Sequence, residues 1–104
     1  MLDTKFELRM VDVKIKCLID EIDMDIDFSR NRLEMRERDL KEAEEEYEQG
    51  RIKGELRHCA FSRKIRYESL VNESNEKIKE LERYKEKLTV IKSDLKKIEG
   101  DIDE

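Results

Sequence analysis

The chain has 104 residues, of which 49% are charged and 6% are aromatic, and it contains no proline and no tryptophan. A chain of this length holds one domain at most, and its composition is that of long solvated helices and excludes a compact sheet protein. The net charge of -5 is divided unevenly, with 9 basic and 16 acidic side chains in residues 1–50 and 14 and 12 in residues 51–104. Opposite charges on the two halves suit an antiparallel pair and do not suit a surface that coats nucleic acid.

The sequence gives no indication of a membrane or secretory role. It contains no apolar run long enough to span a bilayer, and its first residues lack the apolar core of a signal peptide. We therefore expect a cytoplasmic protein with no membrane partner. Cys17 and Cys59 fit this expectation as reduced, partly buried thiols, since small secreted domains carry a denser set of cysteines.

The first half of the chain predicts one helix over residues 4–49. Thr4 followed by Glu7 matches a capping box, which places the helix start at Thr4. Apolar residues then recur at steps of three and four, with one extra step of four after Ile22 and with polar Ser29 and Arg36 in the series. The series is Leu8, Val11, Ile15, Leu18, Ile22, Ile26, Leu33, Leu40, Ala43 and Tyr47. This pattern predicts a coiled-coil seam with one stutter.

The same helix carries a second apolar series, here called the outer stripe. Its members are Phe6, Met10, Val13, Cys17, Met24 and Phe28. At 100° per residue the outer stripe lies nearly opposite the seam, and a helix that is apolar on two sides needs two partners. We therefore predict a partner interface at the outer stripe. Alternation over residues 11–28 also fits a strand, but the lack of turn residues between 4 and 49 favours the helix.

The two central glycines predict a turn over residues 50–53, with Gly50 in the left-handed conformation that ends a helix. A second helix is then predicted over residues 54–99, with Gly100 as its stop. Its apolar series is Leu56, Cys59, Tyr67, Leu70, Ile78, Leu81, Leu88, Ile91, Leu95 and Ile98. The polar residues 72–75 leave open a break in this helix, although an unbroken helix matches the first one in length.

A fold-back about Arg51 and Ile52 predicts facing residues whose numbers sum to about 103. The predicted pairs are Tyr47 with Leu56, Ala43 with Ala60 or Cys59, Leu33 with Leu70, Ile22 with Leu81, Ile15 with Leu88, Ser29 with Ser74, and Arg36 with Tyr67. Apolar residues meet apolar residues in most of these pairs. The polar pairs are of the kind that fixes the register of a coiled coil.

The sequence argues against catalysis, a cofactor and a metal site. It has a single histidine, His58, and neither a glycine-rich phosphate loop nor a nucleophile elbow. His58 and Cys59 are two adjacent potential ligands, short of the four that a structural zinc site uses. We expect a protein that is not an enzyme.

Five carboxylates cluster in the first helix: Asp20, Glu21, Asp23, Asp25 and Asp27. They lack the glycine and the closing glutamate that a calcium loop requires. We interpret them as an acidic surface that faces solvent or a partner.

Six cations lie within sixteen residues that begin in the turn, with Phe61 and Tyr67 interleaved: Arg51, Lys53, Arg57, Arg63, Lys64 and Arg66. Cations with aromatic neighbours are suited to contacting phosphates and stacking bases. The fold-back also brings them against the glutamates at residues 42–48, and we favour mutual neutralisation over phosphate contact.

These observations predict an all-α protein, a long antiparallel helical hairpin that assembles into a four-helix bundle, with a homodimer as the expected state. The expected function is a coiled-coil module for protein–protein interaction or oligomerisation, a scaffold or adaptor whose partner is itself or another helical protein. One alternative is a small helical regulator or inhibitor of a nucleic-acid enzyme, of phage or mobile-element type, which uses the acidic surface. A further alternative is nucleic-acid binding through the cations near the turn.

Overall fold

The computed structural model describes residues 3–54 and 58–103, except for the side chains of His58 and Asp103. The protein is an antiparallel hairpin of two long helices, α1 (Thr4–Ile52) and α2 (His58–Asp103). Residues 11–28 are helical throughout, so the strand alternative is wrong. Helix α2 runs without interruption through residues 72–75, as the matching lengths predicted. The predictions for Leu56 and Arg57 fall outside the described residues.

Asp3, rather than Thr4, caps the start of α1. The Asp3 carboxylate accepts a hydrogen bond from the backbone nitrogen of Lys5 (3.1 Å), and the Asp3 carbonyl accepts one from the nitrogen of Glu7 (3.0 Å). Aspartate is among the best N-caps because its oxygen satisfies a backbone donor that has no partner within the helix. The predicted helix start at Thr4 is correct, but the predicted capping residue is not.

The end of α1 lies beyond Gly50, which was predicted to close the helix. Gly50 is helical and buried, and α1 continues to Ile52. The left-handed residue is Gly54, with φ of 73°, and its backbone nitrogen donates to the Arg51 carbonyl at 3.1 Å. A glycine at this position satisfies a terminal carbonyl without steric strain. At the other end of the chain α2 passes through Gly100, which is therefore not its stop.

The hairpin divides into two compact units. Unit 1 comprises Met1–Ile26 and Glu80–Glu104, and unit 2 comprises Asp27–Lys79. Each unit contains a stretch of α1 packed against a stretch of α2.

The residues of α1 that face α2 follow an unbroken heptad series. We call the facing positions a and d, so that e and g are the positions that flank them. The series is Leu8, Asp12, Ile15, Ile19, Ile22, Ile26, Ser29, Leu33, Arg36, Leu40, Ala43, Tyr47 and Gly50, all buried or half-buried. Its steps alternate between four and three, so the predicted stutter is wrong. Val11 and Leu18, which the prediction placed in the seam, are more exposed and occupy position g.

Helix α2 has a matching series. Its members are Ala60, Lys64, Tyr67, Val71, Ser74, Ile78, Leu81, Lys85, Leu88, Lys92, Leu95 and Glu99. Cys59, Ile91 and Ile98 were predicted in this seam but are exposed. Ile78 was placed correctly and belongs to the small buried core, with Ile15, Ile26, Ala43 and Ala60.

The predicted register is displaced by about five residues. In unit 1 Arg9 contacts Glu99 and Asp23 contacts Lys85, and the numbers in each pair sum to 108. In unit 2 the ring of Tyr47 lies against that of Phe61, not against Leu56, and this pair again sums to 108. The sum of 103 is wrong because α1 extends beyond Gly50 and α2 begins only at His58, which moves the centre of the fold-back along the chain.

One polar contact crosses the seam of unit 2. The Arg36 guanidinium donates to the Ser74 hydroxyl and to the Leu70 carbonyl, the latter at 3.1 Å. Ser74 was predicted opposite Ser29, and Arg36 opposite Tyr67. Both serines are buried, but the hydroxyl of Ser74 is engaged by Arg36. A polar group in a seam is stabilised when its donors find acceptors, as here.

Candidate interaction surfaces

The outer stripe of α1 is exposed along its whole length. Its five large apolar side chains (Phe6, Met10, Val13, Met24 and Phe28) have exposed fractions between 46% and 72%, and Cys17 is also exposed. The stripe occupies positions b, c and f of the heptad, the positions farthest from a and d. The four residues from Phe6 to Cys17 are spaced by four, three and four, which keeps them on one side of the helix. These side chains therefore form an exposed apolar row on the side of α1 that faces away from α2.

Phe28, the last member of the outer stripe, lies in unit 2 and has a cation beside it. The guanidinium carbon of Arg32 lies 5.0 Å from the centre of the Phe28 ring. Such contacts are weak at an exposed site. The other five members of the stripe all belong to unit 1.

Both cysteines are free thiols with exposed side chains, which corrects the prediction that they are partly buried. Cys17 lies at position f within the outer stripe. Cys59 comes one residue before the buried Ala60 and points away from the seam of unit 2. The pair therefore offers one reactive group inside the stripe and one outside it.

The five clustered carboxylates do not share one face. At 100° per residue, Asp20, Glu21, Asp23, Asp25 and Asp27 spread over roughly 200° of the helix circumference. Asp23 is half-buried and pairs with Lys85 at 2.6 Å, beside the seam of unit 1. This arrangement gives the acidic-surface hypothesis less support than the sequence suggested, because one member is engaged within the hairpin.

Three of the cations near the turn contact side chains of α1. Arg63 pairs with Glu46 at 3.0 Å, Arg51 pairs with Glu48 at 2.9 Å, and the Lys64 ammonium lies 5.1 Å from the centre of the Tyr47 ring. Lys53 and Arg66 are exposed. Of these contacts, the pair of Arg63 with Glu46 favours the interpretation that the acidic end of α1 neutralises the cations of α2, whereas Arg51 pairs within α1 and Lys64 contacts an aromatic ring.

A second apolar surface flanks the seam in unit 1, and the sequence had predicted four of its five residues, all except Tyr84, to lie in the seam. We call it the flanking face and define it by five residues at position g: Val11, Leu18, Tyr84, Ile91 and Ile98. Their exposed fractions lie between 43% and 49%. The signal for it was present in the sequence, since Leu81, Tyr84, Leu88, Ile91, Leu95 and Ile98 also recur at steps of three and four. That series follows positions d and g, whereas the helices meet along a and d.

Other kinds of site find little support in the part of the chain that the structure describes. Residues 3–54 and 58–103 contain no group of three or more side chains that could hold a metal ion. Within the same ranges neither helix contains an apolar stretch that could cross a bilayer. A depression of about 430 Å³ on unit 2 is bordered only by the charged residues Glu34, Glu37, Arg38 and Lys41.

Comparison of the chain with protein-family models, with curated proteins and with solved structures found no match.

Proposed function

We propose that the protein is a non-enzymatic coiled-coil module for protein–protein association, and that the outer stripe of α1 is a contact surface for a second helical protein, either another copy or a different chain. The observation that carries the proposal is the exposure of Phe6, Met10, Val13 and Met24 on one unit of a small protein. Contiguous exposed apolar residues of this kind mark interaction sites.

The energetics support association. Burying an apolar side chain of this size contributes about 1.5 to 3 kcal/mol, which is large against the stability of a small domain. A partner helix with apolar residues at steps of three and four would meet the stripe in the same way as α2 meets the seam. The seam is closed by α2, so the stripe can accept this partner without unfolding the hairpin.

The test compares a stripe substitution with a matched control. Met24→Glu places a charge in the stripe, and Met35→Glu places one at a similarly exposed methionine in unit 2. Tagged wild-type protein and both variants serve as baits for affinity capture from the host extract, and light scattering at several concentrations reports self-association. We expect Met24→Glu to lose a partner, or the self-associated state, that Met35→Glu retains.

Cys17 provides a second readout. A bound partner should slow the reaction of the Cys17 thiol with a maleimide and leave Cys59 unchanged, since Cys59 is exposed on the other unit. Each rate is measured in a variant in which the other cysteine is serine. Two results together would show that the outer stripe is not a contact surface. The first is that both methionine variants capture the same partners and self-associate to the same degree. The second is that Cys17 reacts at the same rate at all protein concentrations and in the extract.

A further inference from the structure

Besides the outer stripe, unit 1 has the flanking face, and the two sides of its seam differ in chemistry. In an antiparallel pair, the g positions of both helices lie on one side of the seam and the e positions lie on the other. Within the described helices, the e positions of unit 1 are all polar and include Arg9, Lys16, Asp23, Glu82, Thr89 and Lys96. On that side Arg9 pairs with Glu99 and Asp23 with Lys85. The side with the g positions is mostly apolar, with Thr4 in the first turn of α1 and Asp25 at the border with unit 2 as its polar members.

The flanking face is suited to burial. The hairpin already covers about half of the surface of each side chain in the flanking face, so a partner protein needs to cover only the remaining half. The hydroxyl of Tyr84 donates to the Glu80 carboxylate at 3.3 Å, at the border of the face. The polar atom of Tyr84 therefore keeps its partner when the ring is covered, which avoids the cost of an unsatisfied hydroxyl.

We propose that the flanking face binds the flanking face of a second copy of this chain, which gives a four-helix bundle about a two-fold axis parallel to the helices. The face supplies apolar rows from both helices with the same seven-residue spacing, so two copies present matching rows to each other. With the axis in this direction, α1 of one copy packs against α2 of the other, and every neighbouring pair of helices is antiparallel.

Charges at the borders of the flanking face select this arrangement. The bordering c positions are Glu7, Lys14 and Glu21 on α1 and Glu80, Lys87, Asp94 and Asp101 on α2. The register of unit 1 places residue 14 level with residue 94, and residue 21 level with residue 87. The two-fold axis brings Lys14 against Asp94 of the second copy, and Glu21 against Lys87 of the second copy. Each pair occurs twice, giving four attractive contacts against the two repulsive contacts of Glu7 with Asp101.

The first experiment measures dimerisation of the full chain by sedimentation equilibrium over a wide range of concentrations. Ile91→Glu should raise the dimer dissociation constant at least about tenfold, because each copy loses a buried apolar side chain and gains a charge in the interface. Glutamate is common at position g of a coiled coil, so the hairpin itself should remain folded. Val13→Glu, in the outer stripe, is the matched control and should leave this constant unchanged.

The second experiment tests the arrangement through the charges. Lys14→Glu alone and Asp94→Lys alone should each weaken the dimer, because each places like charges at both symmetric contacts. An equimolar mixture of the two single variants should dimerise more tightly than either variant by itself, since a mixed dimer restores both contacts. Circular dichroism of each variant at low concentration confirms that the hairpin is folded.

The outcomes separate this proposal from the proposed function. A dimer that Val13→Glu dissociates and Ile91→Glu does not would overturn the flanking-face proposal while supporting the outer stripe. A dimer lost with Ile91→Glu but with no preference for the mixed pair would overturn the two-fold arrangement. A chain that stays monomeric at every concentration would overturn the flanking-face proposal outright and leave the outer stripe to be judged by its own capture and thiol measurements.

Discussion

The two units share one register and differ in what lies beside the seam. In unit 1 five of the seven g positions are apolar, namely Val11, Leu18, Tyr84, Ile91 and Ile98, and the other two are Thr4 and Asp25. In unit 2 five of the six g positions are charged, namely Arg32, Asp39, Glu46, Arg63 and Lys77. Two of these charges, on Glu46 and Arg63, pair across the helices at 3.0 Å. The same two-helix geometry is thus bordered by apolar surface in one unit and by charge in the other.

The buried residues of the two units also differ, in this case in size. Unit 2 buries four small residues, Ala43, Ala60, Ser29 and Ser74, and one large one, Ile78, whereas the buried seam residues of unit 1 are both large, Ile15 and Ile26. Small side chains let the two helix backbones approach closely, and close packing stabilises a pair of helices without a third layer. Eleven of the sixteen large apolar residues that are exposed within the described chain belong to unit 1. Unit 1 therefore leaves more apolar surface exposed than unit 2, as both proposals require.

The largest effect on stability is expected from enlarging a small buried residue of unit 2. Ala60 is 1% exposed, so Ala60→Leu forces extra volume into the seam and should lower the free energy of unfolding by about 1 to 3 kcal/mol. Urea unfolding followed by helical circular dichroism measures the change. Ser62→Leu, at an exposed position in the same turn of α2, is the control and should have little effect. Equal effects of both substitutions would mean that close approach at Ala60 does not stabilise unit 2.

A smaller effect of opposite sign is expected in the seam of unit 1. Asp12 occupies position a, and one of its carboxylate oxygens is buried with no hydrogen-bond partner within the described part of the chain. Asp12→Leu removes this cost and adds apolar contact, so it should raise the free energy of unfolding by about 1 to 2 kcal/mol.

The control for this gain is Asp20→Leu, which substitutes an exposed aspartate of the same unit. Urea unfolding at one fixed protein concentration compares the two variants with wild type. A loss of stability in Asp12→Leu would show that the carboxylate contributes a favourable interaction in the seam.

Periodicity predicted the hairpin and the exposure of the outer stripe, because both depend only on which residues share a side of a helix. It misplaced the first part of the seam of α1, where it chose Val11 and Leu18 in place of Asp12 and Ile19. Val11 and Asp12 are neighbours, and choosing the apolar one moved the series to position g and required a stutter. The structure keeps a continuous seam and accepts Asp12 and Ser29 within it, since the geometry of two long helices outweighs the cost of single polar residues.

The register was wrong for a different physical reason. A glycine is compatible with the end of a helix, where φ is positive, and also with a helix interior that another element approaches closely. Gly50 is buried and helical, and Gly54 is the residue with positive φ. The two glycines are four residues apart, and nothing local distinguishes them. Because Gly50 was chosen as the end of the helix, the predicted partner of every residue across the hairpin was displaced by about five residues.

The smallest expected effect concerns the charged border of unit 2. A double-mutant cycle with Arg63→Ala and Glu46→Ala should give a coupling energy of about 0.2 to 1 kcal/mol, because both side chains are well exposed and their attraction is screened. The coupling should decrease in high salt. The pair of Arg51 with Glu48, within α1, is the reference for a contact that does not join the two helices. The cycle at Arg63 and Glu46 could instead give no more coupling than the reference and no salt dependence. The charged g positions of unit 2 would then not hold the two helices together. Their only role would be to keep that side of the seam from binding further helices.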